Sequence, residues 1–405
     1  MERKAALKGL RIVDFSWQVM GPVCTKYLAD FGAEVIKIES SRAFDAARGN
    51  LPYREGIPGV DRSCHYAWLN TGKRSITLNL KTPQGIEVVK KLISLSDVVV
   101  ENFTPGTMEK LGLSYDTLKQ INPGLIMVRL SGVGQDGPYR LMPALGNFIG
   151  AWAGLHNVFG LKGREPIISY LPHSDYLGGH AGVIAILASL LYRRKTGQGQ
   201  CLDISMLEVT VPLIAPFLLD YLVNQRDTGP LDNKSEAACP HGIYRCAGQD
   251  RWCAISIFSD EEWSNFVKAL GNPGWAEEPG LQSLAGRKAQ EEALDREVEA
   301  WTQKQSVEEV VRVLQAHGVA AGIVANGKDL WEDPQLQSRN FVRLVEGHRE
   351  LNQHYSAAAS FQMSKTQPEL KPACCFGQDN EYVFTQILGM SDVEFIQLLE
   401  AGVIL

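Results

Sequence analysis

Leu10-Arg11-Ile12-Val13-Asp14-Phe15, then Gly21-Pro22, then Glu34-Val35-Ile36-Lys37-Ile38-Glu39: the reading of this stretch decides the fold. Both apolar hexads read as strands, because β-branched residues cluster in them and Gly or polar residues bound them. Between them Gly21-Pro22 opens a helical run over 23–31, and Pro suits a first helical turn. Strand, helix, strand predicts a parallel pair joined by a crossover.

The same alternation continues outward. A helix over 83–94 with Pro in its first turn, a strand over 97–101 and a strand over 125–130 follow. The fold class is therefore α/β, a Rossmann-like large domain with a parallel sheet. In such sheets ligands bind beyond the carboxyl ends of the strands. The loops Asn102-Phe103-Thr104-Pro105-Gly106 and Ser131-Gly132-Val133-Gly134-Gln135-Asp136-Gly137-Pro138 are thus the expected pocket loops. No G-x-G-x-x-G follows the first strand and no G-x-x-x-x-G-K-[ST] is present. Nicotinamide, flavin and nucleotide-triphosphate chemistry therefore lack their phosphate-binding signatures.

Downstream, a strand over 201–205 precedes an apolar helical stretch reaching 223. The segment 224–239 is polar, contains Gly229-Pro230 and reads as a linker. A smaller α+β domain is expected over 240–330, opening on a hairpin of 242–246 and 252–257 around Gly248-Gln249-Asp250. The strand over 318–324 closes that domain, and 331–405 returns to the large domain built by 1–223, ending in a helix over 392–401.

The chain has 405 residues and a net charge of -6, with no basic run longer than Arg193-Arg194-Lys195. Nucleic acid is not an expected partner. Eight cysteines are scattered without a C-x-x-C pair or a zinc spacing, so no metal is expected and a reducing, cytoplasmic setting is. Met1-Glu2-Arg3-Lys4 carries no signal-peptide core. The apolar runs 182–192 and 209–219 are too short to span a bilayer, so no membrane partner is expected and both read as buried helices.

Pro172-His173-Ser174-Asp175-Tyr176-Leu177-Gly178-Gly179, with the apolar run behind it, is the segment most suited to chemistry. Locally, two readings of Asp175 stand side by side. It is the N-cap of a helix starting near Leu177, or it is a partly desolvated nucleophile or acid/base, with the glycines letting a ligand approach. His173 and His180 read as local hydrogen-bonding residues.

Several segments together resemble the class III coenzyme A transferases, the family of formyl-CoA and carnitine CoA transferases. They are Leu7-Lys8-Gly9-Leu10-Arg11-Ile12-Val13-Asp14 with Gly21-Pro22, then Gly32-Ala33-Glu34-Val35-Ile36-Lys37-Ile38-Glu39, and Asn70-Thr71-Gly72-Lys73-Arg74-Ser75. Glu101-Asn102-Phe103-Thr104-Pro105-Gly106, the loop from Ser131 to Pro138, the Asp175 segment running to Thr196-Gly197-Gln198-Gly199-Gln200, and Pro240-His241-Gly242 follow in order. The resemblance implies a CoA transferase in which Asp175 is the covalent nucleophile. It also implies an interlocked dimer, either a homodimer or a hetero-oligomer with a paralogous subunit. CoA thioester would be a substrate, and no tightly bound cofactor is implied.

The resemblance further assigns Gln18, Val19, Gly178 and Gly179 to the loop stabilising the oxyanion and substrate. Lys37, Arg42, Lys73, Arg74, Asn102, Phe103 and Thr104 are assigned to CoA, although Thr104 stands where relatives often carry a phosphate-binding Arg. Arg48, Phe148, Trp152 and His241 are the expected substrate pocket. Formyl and oxalyl groups are disfavoured, since the glycine-rich loop that formyl-CoA transferases place over the active site is not recognisable. The donor expected is succinyl-CoA, and the acceptor an aromatic or dicarboxylic acid such as benzylsuccinate. Arg48, Arg54, Arg62 and His65, on the long segment 40–66, are the cations for a second carboxylate. The alternative is a 2-methylacyl-CoA racemase-type epimerase. Its His-Asp partner is missing from Ala144-Leu145-Gly146-Asn147.

Overall fold

Residues 5–405 are described here in a computed structural model; Met1-Glu2-Arg3-Lys4 lies outside them. Strand β1 (Arg11–Asp14) leads through a tight loop into helix α1 (Met20–Asp30) and strand β2 (Glu34–Glu39). Helix α2 (Cys64–Leu69), strand β3 (Arg74–Thr77) and helix α3 (Pro83–Ser94) follow. Then come β4 (Val98–Glu101), the short helices α4 (Thr107–Lys110) and α5 (Tyr115–Ile121), and β5 (Ile126–Ser131). Helices α6 (Gly146–Trp152), α7 (Leu155–Val158) and α8 (His173–Thr196) precede β6 (Gln200–Ser205).

The six strands form one parallel sheet in the order β3-β2-β1-β4-β5-β6. The chain order reverses between β1 and β4, so the crevice beyond their carboxyl ends is the place where ligands bind in such sheets. Side chains alternate across each strand. Val13, Ile36, Ile76, Val99 and Met127 join α3 and Phe384 on one face. Ile12, Val35, Val98, Ile126 and Val128 join α1 and Ile186 of α8 on the other. Burying both faces explains why these strands read as continuous apolar runs.

The sheet's edge at β3 is covered from the far end of the chain. Asp379 accepts from the Ser75 N–H at 3.0 Å and Asn380 from the Thr77 N–H at 2.8 Å. Two side chains thus stand in for a further strand. β3 was not expected from the sequence: Arg-Ser-Ile-Thr has one strongly apolar residue, and its place is set by pairing with β2.

The chain divides into two units, one of residues 1–156, 168–218 and 334–405, the other of 157–167 and 219–333. The second contains a three-stranded antiparallel sheet, β7 (His241–Arg245), β8 (Trp252–Ser256) and β9 (Ala320–Ile323). Its core is built around Trp263, Phe266, Val298 and Leu314. The segment read as a linker belongs to this unit, where Lys234 is ion-paired with Asp295.

Two helical stretches exceed the apolar runs seen in the sequence: His173–Thr196 and Met206–Asn224 are both long and apolar enough to cross a membrane. Both qualify by length and composition only, as core helices also do; the first buries Gly182, Ile186 and Ser189, whereas no residue of Ala215–Asn224 is buried, so that part of the second run is not the buried helix expected. α8 packs along α1 and β5.

Candidate active site

The site begins at the loop after β1. Trp17 is pinned across the β1–β4 crevice by Asn102, whose Oδ1 accepts from the Trp17 N–H at 2.9 Å while its Nδ2 donates to the Trp17 carbonyl at 2.8 Å. Phe103 packs edge-on against the Trp17 ring, with centroids 6.0 Å apart. Gln18 follows with φ of 63°, a left-handed conformation costly for a side chain with a Cβ. Its N–H is held by Asp45 Oδ1 at 2.9 Å. Val19 is then the N-cap of α1 and supplies no side-chain cap. The N–H groups at this helix start face a carboxylate that comes from elsewhere in the chain.

That carboxylate is Asp175. It sits in the first turn of α8, whose N-cap is Pro172. Asp175 is therefore not the cap of its own helix, which starts four positions before the expected Leu177. Its side chain is 8% exposed and, among the described residues, forms no ion pair. Burial pushes its pKa up to about 6, opposed only by its own N–H and that of Met20 at the start of α1. A buried carboxylate without a cation is costly, and such groups concentrate where chemistry is done.

Gly146 closes the other side. A Cβ on it would lie 1.8 Å from Asp175 Oδ2, so only a glycine lets α6 approach the carboxylate. Gly146→Ala is therefore expected to displace the reacting oxygen and cut kcat by about 10²-fold. Single-turnover acylation would check this, and an unchanged rate would place the reacting atom elsewhere. Around the same loops, Ser131, Gln135, Asn147 and Ser174 carry buried polar side-chain atoms without a hydrogen-bond partner among the described residues. A ligand's polar groups satisfy such atoms. The sequence placed Ser131 and Gln135 on an expected pocket loop and Ser174 beside Asp175, but it did not single out these side chains, because nothing local along the chain shows which polar atoms stay unpartnered. Beside the site, a cleft of about 560 Å³ is lined by Arg54, Cys64, His65, Trp68, Tyr176 and His354.

Several expected site residues have other work. Gly178 and Gly179 lie inside α8, where their N–H groups belong to the helix. A Cβ on them would meet Met20 Cε at 2.2 Å and Met20 O at 2.8 Å. They permit close packing of α8 on α1, and they offer no oxyanion hole. Lys37 is wholly buried, bonded to the Ser16 carbonyl at 2.5 Å and paired with Asp45 at 3.0 Å. Lys73 is buried against Asp14 at 3.3 Å, the Pro22 carbonyl at 3.1 Å and Asn70 at 2.9 Å. Neither ammonium is free for a phosphate. Arg74 is committed to Glu34 and Asp379 and stacked on Tyr382. Asn102 is spent on Trp17. Arg42 is exposed without an ion pair among the described residues, and Thr104 is exposed on its loop.

Arg48 is buried, bidentate to Glu39 at 2.8 and 2.6 Å, paired with Asp61 at 2.5 Å and stacked over Tyr66. It organises the 40–66 segment from inside and does not face a substrate. Phe148 and Trp152 lie on a face of α6 turned away from Gly146, forming an aromatic group with Tyr139. His241 is in the second unit, its Nδ1 2.9 Å from the Asn233 carbonyl. His173 contacts Ser169 and His180 packs edge-on against Tyr27.

The comparisons with known proteins bear on the whole of this arrangement. The model of CoA-transferase family III matches residues 7–380. The chain is 30% identical to the succinyl-CoA–D-citramalate CoA-transferase of Chloroflexus aurantiacus, over 98% of each chain. It is 31% identical to the succinyl-CoA–L-malate CoA-transferase beta subunit of the same organism, again over 98% of each. A crystal structure of a CAIB/BAIF family protein from Brucella suis superposes with a TM-score of 0.87 at 27% identity, covering 95% of this chain and 100% of that one.

Proposed function

Since this chain belongs to CoA-transferase family III and is a CoA-transferase, we propose that it moves CoA from succinyl-CoA to a second carboxylic acid through covalent intermediates on Asp175. One observation carries the reading: Asp175 is a buried carboxylate with no cationic partner among the described residues, held between the start of α1 and Gly146.

The Asp175 oxygen attacks the thioester carbonyl and the C–S bond breaks, giving a mixed anhydride and CoA thiolate. The thiolate attacks the Asp175 carbonyl and succinate leaves, giving an aspartyl-CoA thioester. The acceptor carboxylate attacks that thioester and releases the thiolate. The thiolate then takes the acceptor's acyl carbon and frees Asp175. Each step exchanges an activated acyl group for one of similar energy, so no single step carries the whole barrier. We assign Gln18 and the N–H groups at Val19 and Met20 to the oxyanions, because they lead into the helix start that meets Asp175.

Arg42 and Thr104 are the exposed groups we assign to CoA, with Phe103, the residue before Thr104. Arg54 and His65, in the cleft that Tyr176 lines, suit an acceptor with a second carboxylate. The relatives named for citramalate and malate support a dicarboxylic acceptor, and an aromatic one such as benzylsuccinate stays within the reading. We further take the chain to act as a dimer or with a paralogous subunit. The exposed Leu218, Leu219, Leu222 and Val223 on one helix support this, as an apolar surface in need of cover.

Incubation with succinyl-CoA, a hydroxylamine quench and mass spectrometry of the Asp175 peptide test the reading. A hydroxamate on Asp175 is expected, and an unmodified Asp175 would reject the covalent route. The pH profile gives a second check. Asp175 attacks only when ionised and its pKa is raised to about 6. kcat/KM should therefore rise with pH through an acid limb near 6 and level off above 7. A profile flat from 5 to 8 would contradict an Asp175 nucleophile.

Epimerisation is the second reading, and one observation favours it. His156 is 4% exposed, with Nδ1 unpartnered among the described residues. It lies against Gly150, one turn along α6 from the Gly146 that touches Asp175. Deuterium entering the acyl α-carbon without any change of CoA acceptor would support it.

A further inference from the structure

Gln18 is held by its side chain as well as its backbone. Its Oε1 accepts from Asn50 Nδ2 at 3.3 Å, and the same nitrogen lies 3.2 Å from His65 Nδ1. Asn50 cannot drift, because its N–H donates to the Ala47 carbonyl at 3.1 Å and its carbonyl accepts from Ser63 Oγ at 2.7 Å. Ser63 in turn is the N-cap of α2, which carries His65 in its first turn. The donor count is closed. An amide nitrogen has two hydrogens, one for Gln18 Oε1 and one for His65 Nδ1. The imidazole must then accept at Nδ1, which requires the neutral ring with its proton on Nε2. With its oxygen occupied, the Gln18 carboxamide is left with its NH₂ end free to donate.

The geometry points to Asn50 and His65 as a positioning pair that fixes which end of the Gln18 carboxamide faces the reacting acyl oxygen. The inference rests on Asp175 acting as the nucleophile against the Met20 N–H, two residues along the chain from Gln18. An oxyanion forming there needs a donor, and Gln18 presented oxygen-first would repel it. Protonation of His65 reverses the arrangement. A proton on Nδ1 faces the Asn50 NH₂, so the Asn50 amide turns its oxygen to both neighbours and Gln18 turns over in response. Burial lowers the His65 pKa and the Asp45 carboxylate opposes this. The other titratable groups facing it across the cleft are Arg54, Cys64, Tyr176, His354 and Tyr355. The ring is therefore neutral, and the pair set for donation, at neutral pH.

The test is the rate of Asp175 acylation by succinyl-CoA in single turnover, read by hydroxylamine trapping. Asn50→Asp keeps the shape but can only accept, so it should turn Gln18 oxygen-first. It is expected to slow acylation about 10²-fold, more than Asn50→Ala does. In a Gln18→Ala background the same substitution should cost nothing further, because Asn50 acts only through Gln18. His65→Gln, whose carbonyl accepts without titrating, should recover most of what His65→Ala loses. An Asn50→Asp enzyme within twofold of native rate, or losses from Asn50→Asp and Gln18→Ala that multiply, would overturn the inference. A merely structural Asn50 predicts such multiplication. If Asn50→Asp does not fold, His65→Ala is read against the same Gln18→Ala background. Absence of any hydroxamate in the native enzyme is a different failure. It removes the Asp175 reading itself, and the pair with it.

Discussion

Asp175→Asn is expected to lower kcat by at least about 10⁴-fold, the scale on which loss of a covalent nucleophile is felt. The carboxamide keeps the shape and can still accept from the Met20 N–H, but its oxygen does not attack a thioester. The same substitution should stabilise the folded protein at neutral pH. The fold raises the Asp175 pKa to about 6 from an ordinary 3.8, so the folded chain holds this proton more tightly than the unfolded one. The stabilisation linked to that proton is fully present below about 4 and is lost as pH rises towards 6. Above 6 the ionised group costs roughly 1–3 kcal/mol, and Asn removes the cost. Thermal unfolding of both proteins at pH 8 and at pH 4 checks the sign: a higher midpoint for the variant at pH 8 and near equality at pH 4. A variant that still transfers CoA would remove Asp175 from the mechanism. One that is inactive but no more stable at pH 8 would show that the carboxylate is better solvated than its burial implies.

Arg48→Met should cost roughly 3–5 kcal/mol of stability, because it leaves buried Glu39 and its neighbour Asp61 without their shared cation. The Glu39 carboxylate is 3% exposed, and the Arg48 guanidinium and hydrogen bonds from it and Ser75 hold its pKa low despite burial. Its contribution is present at neutral pH and lost on acidification, so the variant's deficit should shrink as pH falls. Urea unfolding gives the cost. Adding Glu39→Gln should return part of it, since two uncharged groups replace one stranded charge. The competing role, binding a substrate carboxylate, predicts the opposite pattern: a raised KM for the acceptor with stability intact.

Arg48 also shows where reading the chain alone runs out. An Arg in a long irregular loop has the same local sequence whether it faces a ligand or a buried Glu. Lys37 and Lys73 pose the same difficulty: Lys73 meets Asp14 from a distant part of the chain, and Lys37 meets Asp45 across an irregular loop whose course no local pattern shows. Gly178 and Gly179 were legible as a close approach, but what approaches is Met20 of α1 rather than a ligand.

Legible along the chain alone were the α/β class, strands β1, β2, β4, β5 and β6, helices α1 and α3, the apolar part of α8, and the prominence of Asp175; the short helices α2 and α4 to α7 were not. The legible features follow from periodicity, turn residues and ordered motifs, all local along the chain. Folding in three dimensions settles which cations are free, brings Asp175 to the start of α1 and Gly146, and joins Gln18 to His65 through Asn50. Burial and hydrogen-bond pairing depend on residues far apart in the chain, and local pattern carries no record of which of them will meet.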